Sequence, residues 1–205
     1  MNQSAWAAQV AGKAVSIKEI DDREAALRAG NRAAALPRPG TSEGRQLRRW
    51  LTQLVTAERV VAGEAAVRGL TAEGAPALET VLPDTAARLE IGSIAAAVLG
   101  TSLARAVFAE VTAAVNVSDA DVTAYHARNP LRFAAADSGP HGWHAPPVTP
   151  SLEAVRDQIA SHLRAAAGRQ EFRRWLDGRC AAVVELAPGY EHPGDPRQPD
   201  NTHKH

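Results

Sequence analysis

The chain is poor in several things, and each shortage removes a class of explanation. Aromatic residues make up only 4% of its 205 positions. A core with so few large rings and so much alanine favours closely packed helices over sheets. Cys180 is the single cysteine, so no internal disulfide can form, which suits a reducing compartment. The formal net charge is zero, from 23 basic and 23 acidic residues, which gives no bulk electrostatic case for nucleic acid or an anionic membrane. No apolar run is long enough to span a bilayer, and MNQSAWAAQVAGKAVS has no basic region leading into an apolar one. No signal peptide is expected, and cytoplasmic is the expected location.

What is present is helical periodicity. In Thr41 to Leu70, apolar side chains recur at Leu47, Trp50, Leu51, Leu54, Val55, Val61 and Ala65, the spacing of a helix with one buried stripe. Thr41, Ser42 and Glu43 suit its first turn, and Gly69 its end. A helix of this length needs other segments packed along it. Before it, Ala5 to Val10 reads as a strand followed by a turn at Gly12. Ser16-Ile17-Lys18-Glu19 has capping-box form and predicts a helix from Ile17 to about Gly30, with Ile17, Ile20 and Leu27 inward. Leu36-Pro37-Arg38-Pro39-Gly40 is a stiff connector.

After the long helix, Thr71 to Pro83 reads as loop, and Ala86 to Leu99 as helix despite Gly92. Gly100 to Ser102 is a break, and Leu103, Val107, Phe108 and Val111 mark another helical face. Ser118-x-x-Asp121 opens a helix that ends before Asn129-Pro130. Residues 131 to 150 lack periodicity and read as loop. Thr149-Pro150 then starts a long helix, with proline at its favoured first position and a stripe of Leu152, Val155, Ile159, Leu163, Phe172 and Leu176. Ala182 to Leu186 is a short strand that can pair with Ala5 to Val10. The expectation is a mainly α fold: a helical domain over residues 1–186, with a small two-stranded β element joining its ends and a Pro- and His-rich tail over 187–205.

Three stretches carry a family resemblance. Val15 to Glu19 matches a short strand with an "I-T/S-x-x-E/D" helix start. Glu64 to Leu70, EAAVRGL, matches a long helix ending "EA…GL". Val122 to Phe133, VTAYHARNPLRF, matches "V-x-x-Y-Y-x-x-N-P-x-x-F", with His126 at the second tyrosine. In this order they resemble the N-terminal chaperone region of SurA, PrsA and PpiC-type foldases. SLEAVRDQIASHLRAAAGRQEFRRWLDGRCAAVVEL is similar to the helix and strand that close that region. Where the family's parvulin domain belongs there is only the loop over 134–150. The resemblance implies a SurA-N-like helical bundle that cradles a hydrophobic chain, peptide or polyketide-like. It implies no prolyl isomerase activity, because the family's catalytic residues lie in the absent part. The family is extracytoplasmic, and the missing signal peptide departs from that habit. The resemblance also implies an association with polyketide biosynthesis genes for a chain that lacks the parvulin domain.

The residues allow a second function. His126 and Tyr125 border the apolar stripe of one helix, and His162 borders that of another. Two imidazoles and a phenol converging on a cavity are candidate acid–base groups, the imidazole having an ordinary pKa of about 6.5. They would serve a cofactor-free isomerase or cyclase acting on a hydrophobic, carrier-bound intermediate. Structural, hydrogen-bonded histidines are the plainer reading. Trp143 and His144, in the loop, and Phe133, Tyr190 and His192 are candidate ligand contacts, the loop and tail acting as covers. Gly40-Thr41-Ser42-Glu43-Gly44 has the nucleophile-elbow pattern, but Pro-Arg-Pro before it rules out the strand that motif needs, so it reads as a helix cap. The tail's His192, His203, His205, Asp195 and Asp200 lack a metal-ligand spacing, and no metal or other cofactor is expected. Cys180 reads as a buried filler. Leu47-Arg48-Arg49-Trp50-Leu51 is echoed by Phe172-Arg173-Arg174-Trp175-Leu176. If the two helices cross, these arginines suit a phosphate or an acyl carrier protein, with solvated heads as the plainer reading. Exposed apolar surface on such a bundle is compatible with a homodimer.

Overall fold

The structure is a computed structural model that describes residues 6–31, 33–133 and 149–192. The chain starts with a hairpin of β1 (Trp6–Val10) and β2 (Lys13–Ser16). Ala11 and Gly12 join the strands with φ values of 49° and 76°. Two positive φ angles in a two-residue loop give the twist that antiparallel strands prefer. The sheet holds three strands in the order β2-β1-β3, both pairings antiparallel, with β3 at Val184–Leu186. The expected two-stranded element is therefore incomplete. The pairing of the two ends is present, but Lys13–Ser16 adds a strand that merges directly into a helix cap.

That cap opens α1 (Ile17–Arg28). The Ser16 hydroxyl accepts from the Glu19 amide at 3.2 Å, and the Glu19 carboxylate accepts from the Ser16 amide at 2.9 Å. Both halves of the capping box are thus formed. Ile20 is fully buried, whereas Leu27, expected inward, is exposed, and the inward position one turn earlier belongs to Glu24. A connector with a single 3₁₀ turn at Ala33–Ala35 leads to α2 (Ser42–Arg68). Thr41 caps α2, its hydroxyl accepting from the Gly44 amide at 3.1 Å, and Gly69 ends it with φ 65°. Residues 33–41, which lead directly into Ser42, hold a 3₁₀ turn and connector and no strand, so the elbow-like pentapeptide is a helix start.

The expected loop over 71–83 contains one helical turn, α3 (Leu78–Val81). The single helix expected over 86–99 is two, α4 (Thr85–Ile91) and α5 (Ser93–Val98). They are split at Gly92, whose φ of 87° and ψ of 156° no helix accommodates. Then follow α6 (Ser102–Thr112) and α7 (Asp119–Arg128), the latter opened by a complete capping box at Ser118 and Asp121. The final helix, α8, runs Leu152–Val183. Its cap is Ser151, whose hydroxyl accepts from the Ala154 amide at 3.3 Å, so Pro150 lies before the helix and not inside its first turn.

The main core surrounds α2. Leu51, Leu54, Ala57, Val60, Val61 and Ala65 are buried against β1, α1, α5, α6 and the C-terminal half of α8, which contributes Phe172 and Leu176. Burying side chains the size of Leu51, Ile91, Leu99 or Phe172 stabilises by about 1.5–3 kcal/mol each. Exposed ion pairs such as Lys18–Asp22 are screened by water and contribute little, so the apolar stripe decides the packing. A second, smaller cluster joins α7 to the N-terminal half of α8 through Val122, Val155 and Ile159. Buried charges tie elements together. Glu24 pairs with Arg48, Glu64 with Arg179, and Arg169 with Glu90. Glu24 and Glu64 each keep a second partner, Arg28 and Arg68, so losing one pair does not strand either carboxylate.

Two substitutions test these local arguments. A Cβ at Gly44 would stand 2.4 Å from the Arg38 carbonyl oxygen. Gly44→Ala is therefore expected to lower stability by about 1–3 kcal/mol in urea unfolding, despite alanine's higher helix propensity. The Glu19 carboxyl is held below its ordinary range, first by the Ser16 amide and also by the Arg59 guanidinium. A lowered folded-state pKa gives stability that is present above the ordinary carboxyl range and lost as pH falls through the folded value. Between about pH 6 and about pH 3, Glu19→Gln is expected to flatten the acid-side fall of stability seen for the wild type.

Candidate functional site

The sequence-chosen residues separate into three places. At the α7–α8 cluster, the Tyr125 phenol oxygen and His162 Nε2 lie 3.2 Å apart, in a hydrogen bond whose direction follows the His162 tautomer. Phe133 completes a trio of rings, with centroids 6.3 Å from Tyr125 and 6.0 Å from His162. The three rings are half-buried and rest on Val122, Val155 and Ile159. Helical spacing brings this about. Tyr125 lies one turn past Val122 on α7, and His162 one turn past Ile159 on α8, so both follow stripes that already face each other.

His126 does not join this group. Its Nε2 lies 2.9 Å from the Pro150 carbonyl oxygen. A carbonyl only accepts, so Nε2 carries the proton, and the imidazole ties the end of α7 to the residues entering α8. The two histidines thus have separate partners, and the expected pairing of imidazoles is replaced by a phenol–imidazole pair. Trp143 and His144 lie outside the described residues, as do Asp195, Asp200, His203 and His205. Among the described residues no group of three or more His, Cys, Asp or Glu side chains is placed to hold a metal ion.

Tyr190 and His192 lie on a strap over residues 187–192 that turns back from β3 onto α2. The Ala187 amide donates to the Ala7 carbonyl at 3.0 Å, extending the sheet. Arg49 Nε donates to the Gly189 carbonyl at 3.3 Å, and Arg48 Nη2 to the Tyr190 hydroxyl at 3.5 Å. Arg48 also pairs with Asp21 and Glu24, and these partners outweigh its partial burial in holding its proton more tightly than usual. The echoed arginines are thus engaged within the fold. Arg49 is 4% exposed, against the expectation of solvated heads, while Arg174 pairs with Glu171 and Arg173 donates to the Glu90 carbonyl.

Two hollows lie beside these residues and are lined mostly by side chains the sequence did not single out. The first is an apolar trough of about 310 Å³ between α3, α6 and α8, bounded by Pro76, Val81, Phe108, Ala109, Ala165 and Gly168. Gly168 forms its floor near Phe108, where a Cβ would stand 3.6 Å from the ring. Ala109 also borders a neighbouring hollow along Gly69, Leu70, Gly74 and Ala106, so the two share a wall. The second cavity, about 460 Å³, sits where α4 breaks into α5 against α2 and α8. It is lined in part by Gln53, Ile91, Ser93, Arg173, Cys180 and His192. Burial raises the Cys180 thiol to about 11, with Asp177 adding to the shift, so the group is a neutral filler near neutral pH. The sequence signals were present but ambiguous: a glycine inside an apparent helix at 92, and a glutamine among the leucines of α2 at 53. Neither Tyr125 nor His162 lines the trough or this cavity.

A family of unknown function, DUF7158, matches residues 6–43, a stretch that covers the hairpin, α1 and the connector and stops as α2 begins. No curated protein and no solved structure matches the chain. No described helix is long and apolar enough to cross a membrane.

The phenol–imidazole contact has a measurable size. Tyr125→Phe removes the hydroxyl and keeps the ring, so it is expected to cost about 0.5–1.5 kcal/mol in urea unfolding while the ring packing persists.

Proposed function

We propose that the chain is a parvulin-less, SurA-like helical module that binds an extended hydrophobic chain and has no prolyl isomerase chemistry of its own. The observation that carries this reading is the apolar trough between α3, α6 and α8. Its walls are mostly alanine, valine and proline with Phe108, its floor is Gly168, and Thr80, Thr112, Ser161 and Arg164 supply the polar part of the lining, so it offers mainly apolar contact area with a few polar groups beside it. The shared wall at Ala109 supports a long occupant over a compact one, because a chain leaving the trough meets a second hollow directly. The sequence pattern of Glu64 to Leu70 and of Val122 to Phe133 adds the resemblance to foldase chaperone regions. An unfolded polypeptide is the occupant this chemistry favours, since apolar contact without fixed polar partners tolerates many sequences.

A second reading, a cofactor-free isomerase or cyclase working on a hydrophobic, carrier-bound polyketide intermediate, draws on the Tyr125–His162 contact. It requires those groups to meet a substrate, and the rings are spent on each other and on Phe133. The trough reading is preferred for that reason.

Binding of a permanently unfolded polypeptide, reduced and carboxymethylated lactalbumin, tests the proposal by fluorescence anisotropy. Ala109 is exposed, so Ala109→Trp obstructs the trough without loading the core. The expected outcome is saturable binding by the wild type and at least about tenfold weaker binding by the variant at an unchanged melting temperature. No binding by the wild type, or equal binding by both, overturns the reading.

A further inference from the structure

The cavity at the α4–α5 corner is separate from the trough and has a different chemistry. Its existence follows from Gly92. A continuous helix over 85–98 would close the corner. The positive φ at Gly92 turns the chain instead, and α5 leaves at an angle that opens space against α2 and α8. The Arg173 side chain from α8 lies across this glycine, its Cζ 3.9 Å from where a Cβ would stand. The cavity has two kinds of wall. One is apolar: Ala57, Ile91, Ala95 and Leu176, all buried.

The other wall carries hydrogen-bond donors. Gln53 Nε2 is buried and has no acceptor among the described residues. A buried donor left unmatched is costly, and an incoming acceptor recovers that loss. The Ser93 hydroxyl oxygen accepts from Trp50 Nε1 at 3.0 Å and still has its own proton to donate. Arg173 supplies a guanidinium whose Nη1 donates to the Glu90 carbonyl at 3.3 Å, which leaves Nη2 to donate to an anion. Asp177, one turn further along α8, is the lining's acidic group, and its carboxylate is 3.8 Å from Arg173 Nε, a loose pairing. His192, on the strap that is anchored by Arg48, Arg49 and Ala7, is part of the lining.

We propose that this cavity is a binding site for a small carboxylate with a short apolar body, its acid group held by Gln53, Ser93 and Arg173 and its body lying on Ile91 and Leu176. The volume of about 460 Å³ falls in the range of small-molecule sites, and the pairing of an apolar wall with a few converging polar groups is their usual build. The carboxylate takes the guanidinium from its loose contact with Asp177, so the two charged residues have opposite effects on affinity. Asp177 repels the ligand while Arg173 attracts it.

The test uses the full chain with hexanoate as the anionic probe and hexanamide as its neutral counterpart. Binding is read by ligand-observed NMR titration, and occupancy by the rate at which iodoacetamide alkylates Cys180, the sole cysteine and a residue of the cavity wall. Hexanoate is expected to saturate, to slow alkylation, and to bind about tenfold more tightly than hexanamide. Arg173→Gln, at a surface-reaching side chain that does not threaten folding, is expected to weaken hexanoate about tenfold, and Asp177→Asn to tighten it several-fold. Equal binding of acid and amide, indifference to Arg173→Gln, or no saturation with unchanged alkylation each overturns the proposal.

Discussion

The fold depends on the burial of one helix along several faces. A surface helix hides one stripe, but α2 buries Leu51, Leu54, Ala57, Val60, Val61 and Ala65 together with Arg49, Thr52, Thr56 and Glu64. So wide a buried surface needs neighbours on several sides, and they are supplied by the sheet, α1, α5, α6 and the end of α8. Small residues at Ala57, Ala65, Ala95 and Ala104 let the backbones approach. The same small residues leave little to fill a gap, and both hollows border a glycine: Gly92, where the chain turns, and Gly168, inside α8.

Charge has a structural part to play in a chain without net charge. Glu24, Glu64, Arg49 and Arg169 are nearly buried, and each links its helix to another element or to the strap. A buried ion pair adds little net stability compared with apolar residues of equal size, but a mismatched one is costly. These pairs join α2 to α1 and α8, and α8 to α4. The strap is held by the same arginines, which makes the end of the sheet, the central helix and the cavity opening one connected arrangement.

The second cluster has another character. It consists of α7, the first half of α8 and the rings of Tyr125, Phe133 and His162, with a smaller set of buried residues than the main core. Its histidines are used as fasteners: His126 on Pro150 and His162 on Tyr125. Packed rings of this kind position one helix on another. A binding role suits the trough better, because its lining is mostly apolar and neither Tyr125 nor His162 belongs to it.

Much of the architecture was legible in the residues. Capping signatures at Ser16, Thr41 and Ser118 and the apolar spacing of α2 and α8 are local features, governed by hydrogen bonds three residues apart and by a period of 3.6. The same stripes placed Tyr125, His126 and His162 beside buried faces, but that Tyr125 and not His126 meets His162 was decided by the assembled helices. What escaped was whatever depends on residues distant in sequence. Four residues of Lys13–Ser16 become a strand only because β1 lies beside them. Gly92 breaks a helix that propensity alone tolerates, since the turn is repaid by packing of α4 and α5 against α8 and α2. Leu27 is outside while Glu24 and Arg49 are inside, because their partners Arg28, Arg48 and the Gly189 carbonyl arrive from other turns, another helix and the strap. The sequence alone determined which segments are helices and which of their faces seek cover. Only tertiary structure decided which polar groups meet and where space remains, because hydrogen-bond partners and voids belong to the assembled neighbours and not to any one segment.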